Sequence, residues 1–129
     1  MDSVVHFEIP VDDAGRAGAF YRDVFGWNVD KWGPVDYWTM TTGAEPGLGA
    51  EGALTPRAEA PEGVVVYVGV DDIDSCIAKV SEVGGVAVTD KRPIPTMGWY
   101  AHVRDTEGNL IGLFEVDPTA SVAQTDTGG

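Results

Sequence analysis

The chain has 129 residues, enough to bury a sizeable core in one domain, and a formal charge of −13 from 21 acidic and 8 basic side chains. That balance excludes a nucleic-acid footprint, which needs clustered lysine and arginine, and docking on anionic lipid. No apolar run reaches the ~20 residues of a membrane span, the start Met1-Asp-Ser-Val-Val-His lacks a basic, apolar leader, and the lone Cys76 permits no internal disulfide. Cytoplasm is the expected compartment.

In chain order, Val4 to Ile9 is β-rich and reads as a strand. Asp12-Asp13 supply an N-cap and a negative first turn for a helix over Ala14 to Val24, with Ala17, Phe20, Tyr21 and Val24 as its apolar stripe. Gly26 caps its C-terminus. Strands follow at Trp27 to Trp32, Asp36 to Thr41 and about Gly49 to Leu54, completing a β-α-β-β-β unit. A Pro/Gly/Ala-rich linker spans 55–63. Val64 to Val70 then starts a second unit, with a helix capped by Asp71 or Asp72, striped by Ile73, Ile77 and Val80, and ended by Gly84-Gly85. Val86 to Thr89, Trp99 to Arg104 and Asn109 to Val116 are its remaining strands. Residues 118–129 have no apolar periodicity and read as a disordered tail.

The two units are copies. Val11-Asp12-Asp13 falls on Val70-Asp71-Asp72 and Gly26 on Gly85, an offset of 70 − 11 = 59 residues. Tyr37-Trp-Thr-Met matches Tyr100-Ala-His-Val at 100 − 37 = 63, the difference being loop length. The expected fold is therefore α+β: one domain, 1–117, of two β-α-β-β-β modules (3–54 and 64–117) whose sheets form a cup. Period-2 alternation turns Val5, Phe7 and Ile9 toward the first helix and aims His6 and Glu8 into the cup. By the same reasoning Val64, Val66 and Val68 face the second helix while Val65 and Tyr67 point inward. In the last strand, Phe114 and Val116 go with the helix, and Ile111, Leu113 and Glu115 with the interior. Trp38, Tyr67, Trp99 and Tyr100 are concentrated on the cup strands, and His102 shares a face with Tyr100. Tyr100 and His102 are the inward pair, with Trp99 held in reserve. Apolar walls with a few convergent polar groups are the usual form of a small-molecule site. Cys76 has no cationic neighbour in sequence to activate it.

The first strand His6-Phe-Glu-Ile-Pro-Val-Asp-Asp, the helix end Phe20-Tyr-Arg-Asp-Val-Phe-Gly-Trp and the closing Asp105-Thr-Glu-Gly-Asn-Leu-Ile-Gly-Leu-Phe-Glu resemble the vicinal oxygen chelate superfamily. That group comprises glyoxalases, bleomycin and fosfomycin resistance proteins and extradiol dioxygenases. The resemblance spans residues 3 to 117. It implies a cup-shaped paired-module fold, often within a dimer, and metal ligands on the first and last strands of the modules. On that pattern His6 and Glu115 match ligand positions. Val65 (6 + 59) and Gly52 (115 − 63) stand at the other two, and Glu51 beside Gly52 would point to the opposite face unless a bulge re-aims it.

Three functions follow as expectations. The first is a glyoxalase/bleomycin-resistance-like protein binding a small organic molecule in the cup, with ligand contacts from His6, Glu8, Tyr67, Tyr100, His102, Trp99 and Trp38, an incomplete metal site and no tightly bound cofactor. The second is a lyase or dioxygenase that holds a divalent metal through His6 and Glu115. The third is a non-catalytic dimeric interaction scaffold. A homodimer is the expected assembly, with no nucleic-acid or membrane partner.

Overall fold

The computed structural model describes residues 2–34, 37–43 and 51–121. Two compact units divide the chain, one of residues 4–66, the other of residues 67–129 with 1–3. The division falls inside a strand, a little beyond the expected linker.

In the first unit β1 (Ser3–Val11) leads into α1 (Ala14–Phe25), followed by β2 (Asn28–Lys31), β3 (Trp38–Thr41) and β4 (Glu51–Pro56). Asp13 caps α1 by accepting the Arg16 N–H at 2.9 Å, and Gly26 (φ 75°) takes the left-handed C-cap conformation that costs a β-carbon-free residue least. β1 pairs in parallel with β4, which pairs antiparallel with β3, and β3 with β2. The core between helix and sheet holds Val29, Met40 and Leu54, with Phe7, Ile9, Val11, Ala17, Tyr21, Trp27 and Trp38 packed around them. Of the expected helix stripe only Ala17 and Tyr21 reach this core. Phe20 and Val24 are exposed, because buried Gly18 lets the helix approach Val29 closely with its other side. Val5 is likewise exposed, and Val11 takes the helix-facing role expected of it. Residues 55–56, expected in the linker, extend β4.

The second unit contains most of β5 (Val65–Gly69), then α2 (Ile73–Glu82), β6 (Val86–Ala87), β7 (Arg92–Ile94), β8 (Gly98–Arg104) and β9 (Leu110–Val116). β5 pairs in parallel with β9, β9 antiparallel with β8, and both β6 and β7 pair with β8. Asp72 caps α2, accepting the N–H groups of Asp74 and Ser75. β7 was not foreseen, because Pro93 at its centre breaks a strand pattern and is tolerated only where one side of the ladder is unpaired. The core joins Val70, Ile73, Trp99, Ala101, Val103, Leu113 and Ala120, with Val68, Cys76, Ile77, Val80 and Ile111 against them. Val64 and Val66, expected against the helix, are exposed. Ala120 also corrects the expected tail. Asp117 accepts the Thr119 N–H, Thr96 N–H donates to the Ala120 carbonyl, and Ala120 is buried. Residues 122–129 lie outside the described residues. Among the described residues no helix is long and apolar enough to cross a membrane.

Register makes the internal copy quantitative. Ile9 is paired with Leu54 and Val68 with Leu113, so β1 and β4 both map onto β5 and β9 at 68 − 9 = 113 − 54 = 59. Opposite those strands, Thr39 pairs with Ala53 and His102 with Gly112, so β3 maps onto β8 at 102 − 39 = 63.

Candidate functional site

Each module has one sheet face covered by its helix and one that is helix-free. Phe7, Ile9, Met40 and Leu54 lie under α1, so alternation places His6, Glu8, Tyr37, Thr39, Glu51 and Ala53 on the helix-free face. His6 and Glu8 are where the sequence put them. Tyr37 joins them, its hydroxyl 3.1 Å from His6 Nε2 and donating at 3.1 Å to Glu8 Oε2. His6 Nε2 is also 3.4 Å from Glu8 Oε2. All three are part-buried, and burial, reinforced by the Glu8 charge and its hydrogen bond, pushes the Tyr37 phenol well above its ordinary range. Tyr37 therefore stays a hydroxyl at any working pH. The sequence expectation does not include it among the site residues, although the repeat pairs it with Tyr100, which it does include.

Trp38, by contrast, turns to the α1 side and packs on the core, as its ladder partner Leu54 requires. Its indole Nε1 is buried with no acceptor among the described residues, beside a hollow of about 50 Å³ lined by Val11, Asp12, Ala14 and Thr55. A drug-sized ligand needs a few hundred Å³ or more, so Trp38 is not a wall of a ligand site there. Glu51 pairs with His6 across the β1–β4 ladder and so shares its face without any bulge.

In the second module Tyr67 and His102 sit on the helix-free face, the Tyr67 hydroxyl 2.8 Å from His102 Nε2. The rings of Tyr67 and Tyr100 both meet His102 edge-on, with centroids 5.5 and 6.0 Å from it. Gly112, opposite Tyr67, matters because any β-carbon there would enter the Tyr67 ring. Thr89 fixes the strand from outside, its Oγ1 accepting the His102 N–H at 3.0 Å. Trp99 alternates with Tyr100 and belongs to the α2-side core; its Nε1 donates to Asp117 Oδ2 at 3.0 Å and Lys91 Nζ lies 4.8 Å from its ring centroid. It is not on the Tyr100–His102 face.

Glu115 is the largest correction. Ile111 and Leu113 pack under α2, so Glu115 lies on the helix side, and its Oε1 accepts the Ile73 N–H at 2.8 Å, at the first turn of α2. A carboxylate is stabilised there by the helix dipole and an otherwise orphan donor. Its counterpart in the first module is Pro56 (115 − 59), not Gly52. On the helix-free face the last strands offer Glu51 and Ala53 in one module, Leu110 and Gly112 in the other. Among the described residues no three His, Cys, Asp or Glu side chains come together as a metal cage. The residues present thus do not fit the resident divalent metal that the resemblance implies.

Comparison with known proteins agrees with this fold. Residues 3–43 match the family model described as bleomycin resistance protein-like N-terminal. A glyoxylase-like domain-containing protein of Didymella fabae is 34% identical over 112 residues, covering 82% of this chain and 88% of that one. A candidate glyoxylase of Mycobacterium bovis is 28% identical over 118 residues, 85% of this chain, which spans 44% of that protein's length. The crystal structure of methylmalonyl-CoA epimerase from Mycobacterium tuberculosis superposes with a TM-score of 0.68 at 20% identity, over 89% of this chain and 88% of the other. With 34% identity across most of both chains, duplicated β-α-β-β-β modules and the matching first strand and helix, the chain belongs to the glyoxalase/bleomycin resistance group of the vicinal oxygen chelate superfamily.

Proposed function

We propose that this protein binds a small polar–apolar organic molecule on the helix-free sheet faces of its modules, without a resident metal. The observation that carries the reading is a tyrosine–histidine contact on the helix-free face of each module, made from non-equivalent positions: Tyr37 with His6 and Glu8, and Tyr67 with His102. Such groups, part-buried among aromatic rings, orient a ligand by hydrogen bonds while Tyr67 and Tyr100 supply stacking surface. A thermal-shift screen of such compounds tests it. Hits are expected to lose most of their stabilisation on His6→Ala or Tyr100→Ala, and hits that stabilise both variants as well as the parent place the site elsewhere.

The metal content of purified protein is the second expected outcome. After exhaustive dialysis, elemental analysis for Ni, Zn, Mn, Fe and Mg is expected to find well under one equivalent, since one histidine and a neighbouring carboxylate hold such ions weakly. A full equivalent that survives dialysis and disappears on His6→Ala contradicts the reading. The proposed assembly is a C2 homodimer, the commonest way for a small chain to cover exposed apolar side chains such as Phe20, Val24 and Phe25. Light scattering at micromolar concentration checks this, and a monomer rules it out.

A further inference from the structure

We infer that Arg92 makes the helix-free face of the second module a carboxylate-recognising surface, taking a ligand whose apolar body lies on Tyr100 and whose carboxylate reaches the Arg92 guanidinium. This rests on the small-molecule reading above and goes on to name the ligand's chemistry and the residue that selects it.

Register places Arg92. It is the ladder partner of Tyr100 across β7 and β8, and directly opposed residues of an antiparallel pair project from one face. Its sequence neighbours take the opposite side. Lys91 turns toward α2, where its Nζ donates to Asp74 Oδ2 at 2.8 Å and lies over the Trp99 ring, and Pro93 pairs with Trp99. Arg92 therefore shares the side of Tyr100 and His102. Spacing alone could not show this, because Pro93 hid the strand that carries it.

Charge decides what such a face takes. Glu115 is the one carboxylate carried by β5 to β9, and it is bound on the other side, at the first turn of α2. The helix-free side of these strands carries Arg92 and Arg104, two of the chain's 8 basic residues. Arg104 already donates to the Gly108 carbonyl at 3.0 Å. Arg92 is exposed and forms no hydrogen bond or ion pair among the described residues, not even with Asp90 two positions before it. In a chain of formal charge −13, a guanidinium without a carboxylate partner stands apart. Its planar fork of donors matches a carboxylate with two parallel hydrogen bonds. The Tyr67–His102 contact stays as it is, because the ligand's carboxylate takes its donors from Arg92. Two unit charges about 4 Å apart change an affinity roughly fivefold even in a water-like dielectric.

Isothermal titration of the full chain with phenylacetate, 2-phenylethanol and phenethylamine tests the inference. Phenylacetate is expected to bind about fivefold more tightly than the neutral alcohol. That advantage is expected to vanish in Arg92→Gln, with 2-phenylethanol binding unchanged, and to persist in Arg57→Gln, whose guanidinium is paired with Asp12 in the first module. Phenylacetate no tighter than the alcohol or the amine, or an advantage that survives Arg92→Gln, overturns the carboxylate selection while the binding site stands. Binding of every probe that is indifferent to both Tyr100→Ala and His6→Ala removes the site, and the inference with it. No phenylacetate binding at millimolar concentration overturns the inference as well. The Arg92 Nε–H resonance, assigned by its loss in Arg92→Lys, gives a separate readout. It is expected to shift as phenylacetate is added and to stay in place with 2-phenylethanol; an unmoved resonance at saturating phenylacetate contradicts the contact.

Discussion

Replacing Leu54 with alanine is expected to lower stability by about 2–5 kcal/mol, the range for emptying a fully buried leucine site. Leu54 has no exposed surface. It pairs with Ile9 on one side and Trp38 on the other, and its Cδ1 approaches Gly18, so helix and sheet meet over it. The neighbours cannot easily collapse into the gap, since the strands are tied by ladder hydrogen bonds and Gly18 has no side chain to extend. Leu54→Met keeps the volume and is expected to cost under about 1.5 kcal/mol. Urea unfolding of both variants checks the contrast; an alanine variant within about 1 kcal/mol of the parent would mean that this core is not where the first module derives its stability.

A second large loss is expected from Gly98→Ala. Gly98 begins β8 opposite Val116, and an added β-carbon would press into the Glu115 main-chain carbonyl and lie 3.1 Å from the Phe114 ring. A side chain in the way can rotate, whereas a strand carbonyl cannot without breaking the β8–β9 ladder. The cost is expected at the upper end of the overpacking range, about 3 kcal/mol. Gly15→Ala is the control of opposite sign: in exposed α1 its new methyl meets only Asp13 Oδ1 at ordinary contact distance, 3.4 Å, and alanine gains about 0.5–1 kcal/mol of helix preference. Chemical denaturation of the two variants side by side separates steric conflict from a general intolerance of change at glycine. A Gly98→Ala protein as stable as the parent would show that β8 and β9 can separate at this point without loss.

The modular architecture was legible because three kinds of signal agreed. Asp13 and Asp72 do cap the helices, the 59-residue offset is the ladder offset of β1, β4, β5 and β9, and Phe7 and Ile9 do face α1. His6, Glu8, Tyr67, Tyr100 and His102 followed from alternation on strands with one plainly apolar side. Alternation cannot set the phase where both sides of a strand are apolar. β9 carries Leu110, Phe114 and Val116 on one face and Ile111 and Leu113 on the other, so its phase was undetermined and the polar Glu115 was assigned to the open side. What actually draws that carboxylate is the N-terminus of α2, a partner brought near by the fold and invisible in spacing. At Tyr37-Trp38 two adjacent aromatics compete for one face, and Met40, fully buried under α1, sets the phase that turns Tyr37 to the site and Trp38 to the core. Phe20 was misjudged for a related reason: Gly18 does the packing that a large residue was expected to do.

The central claim, a ligand held on the helix-free face of a module by the His6–Tyr37–Glu8 or the Tyr67–His102 group, is tested most directly by amide and side-chain chemical-shift mapping with a screening hit at saturation. The account predicts the largest shifts at His6, Glu8 and Tyr37 or at Tyr67, Tyr100 and His102, with α1 residues Phe20, Val24 and Phe25 unmoved. Shifts concentrated on that exposed apolar flank of α1, with both histidine rings unchanged, would contradict it.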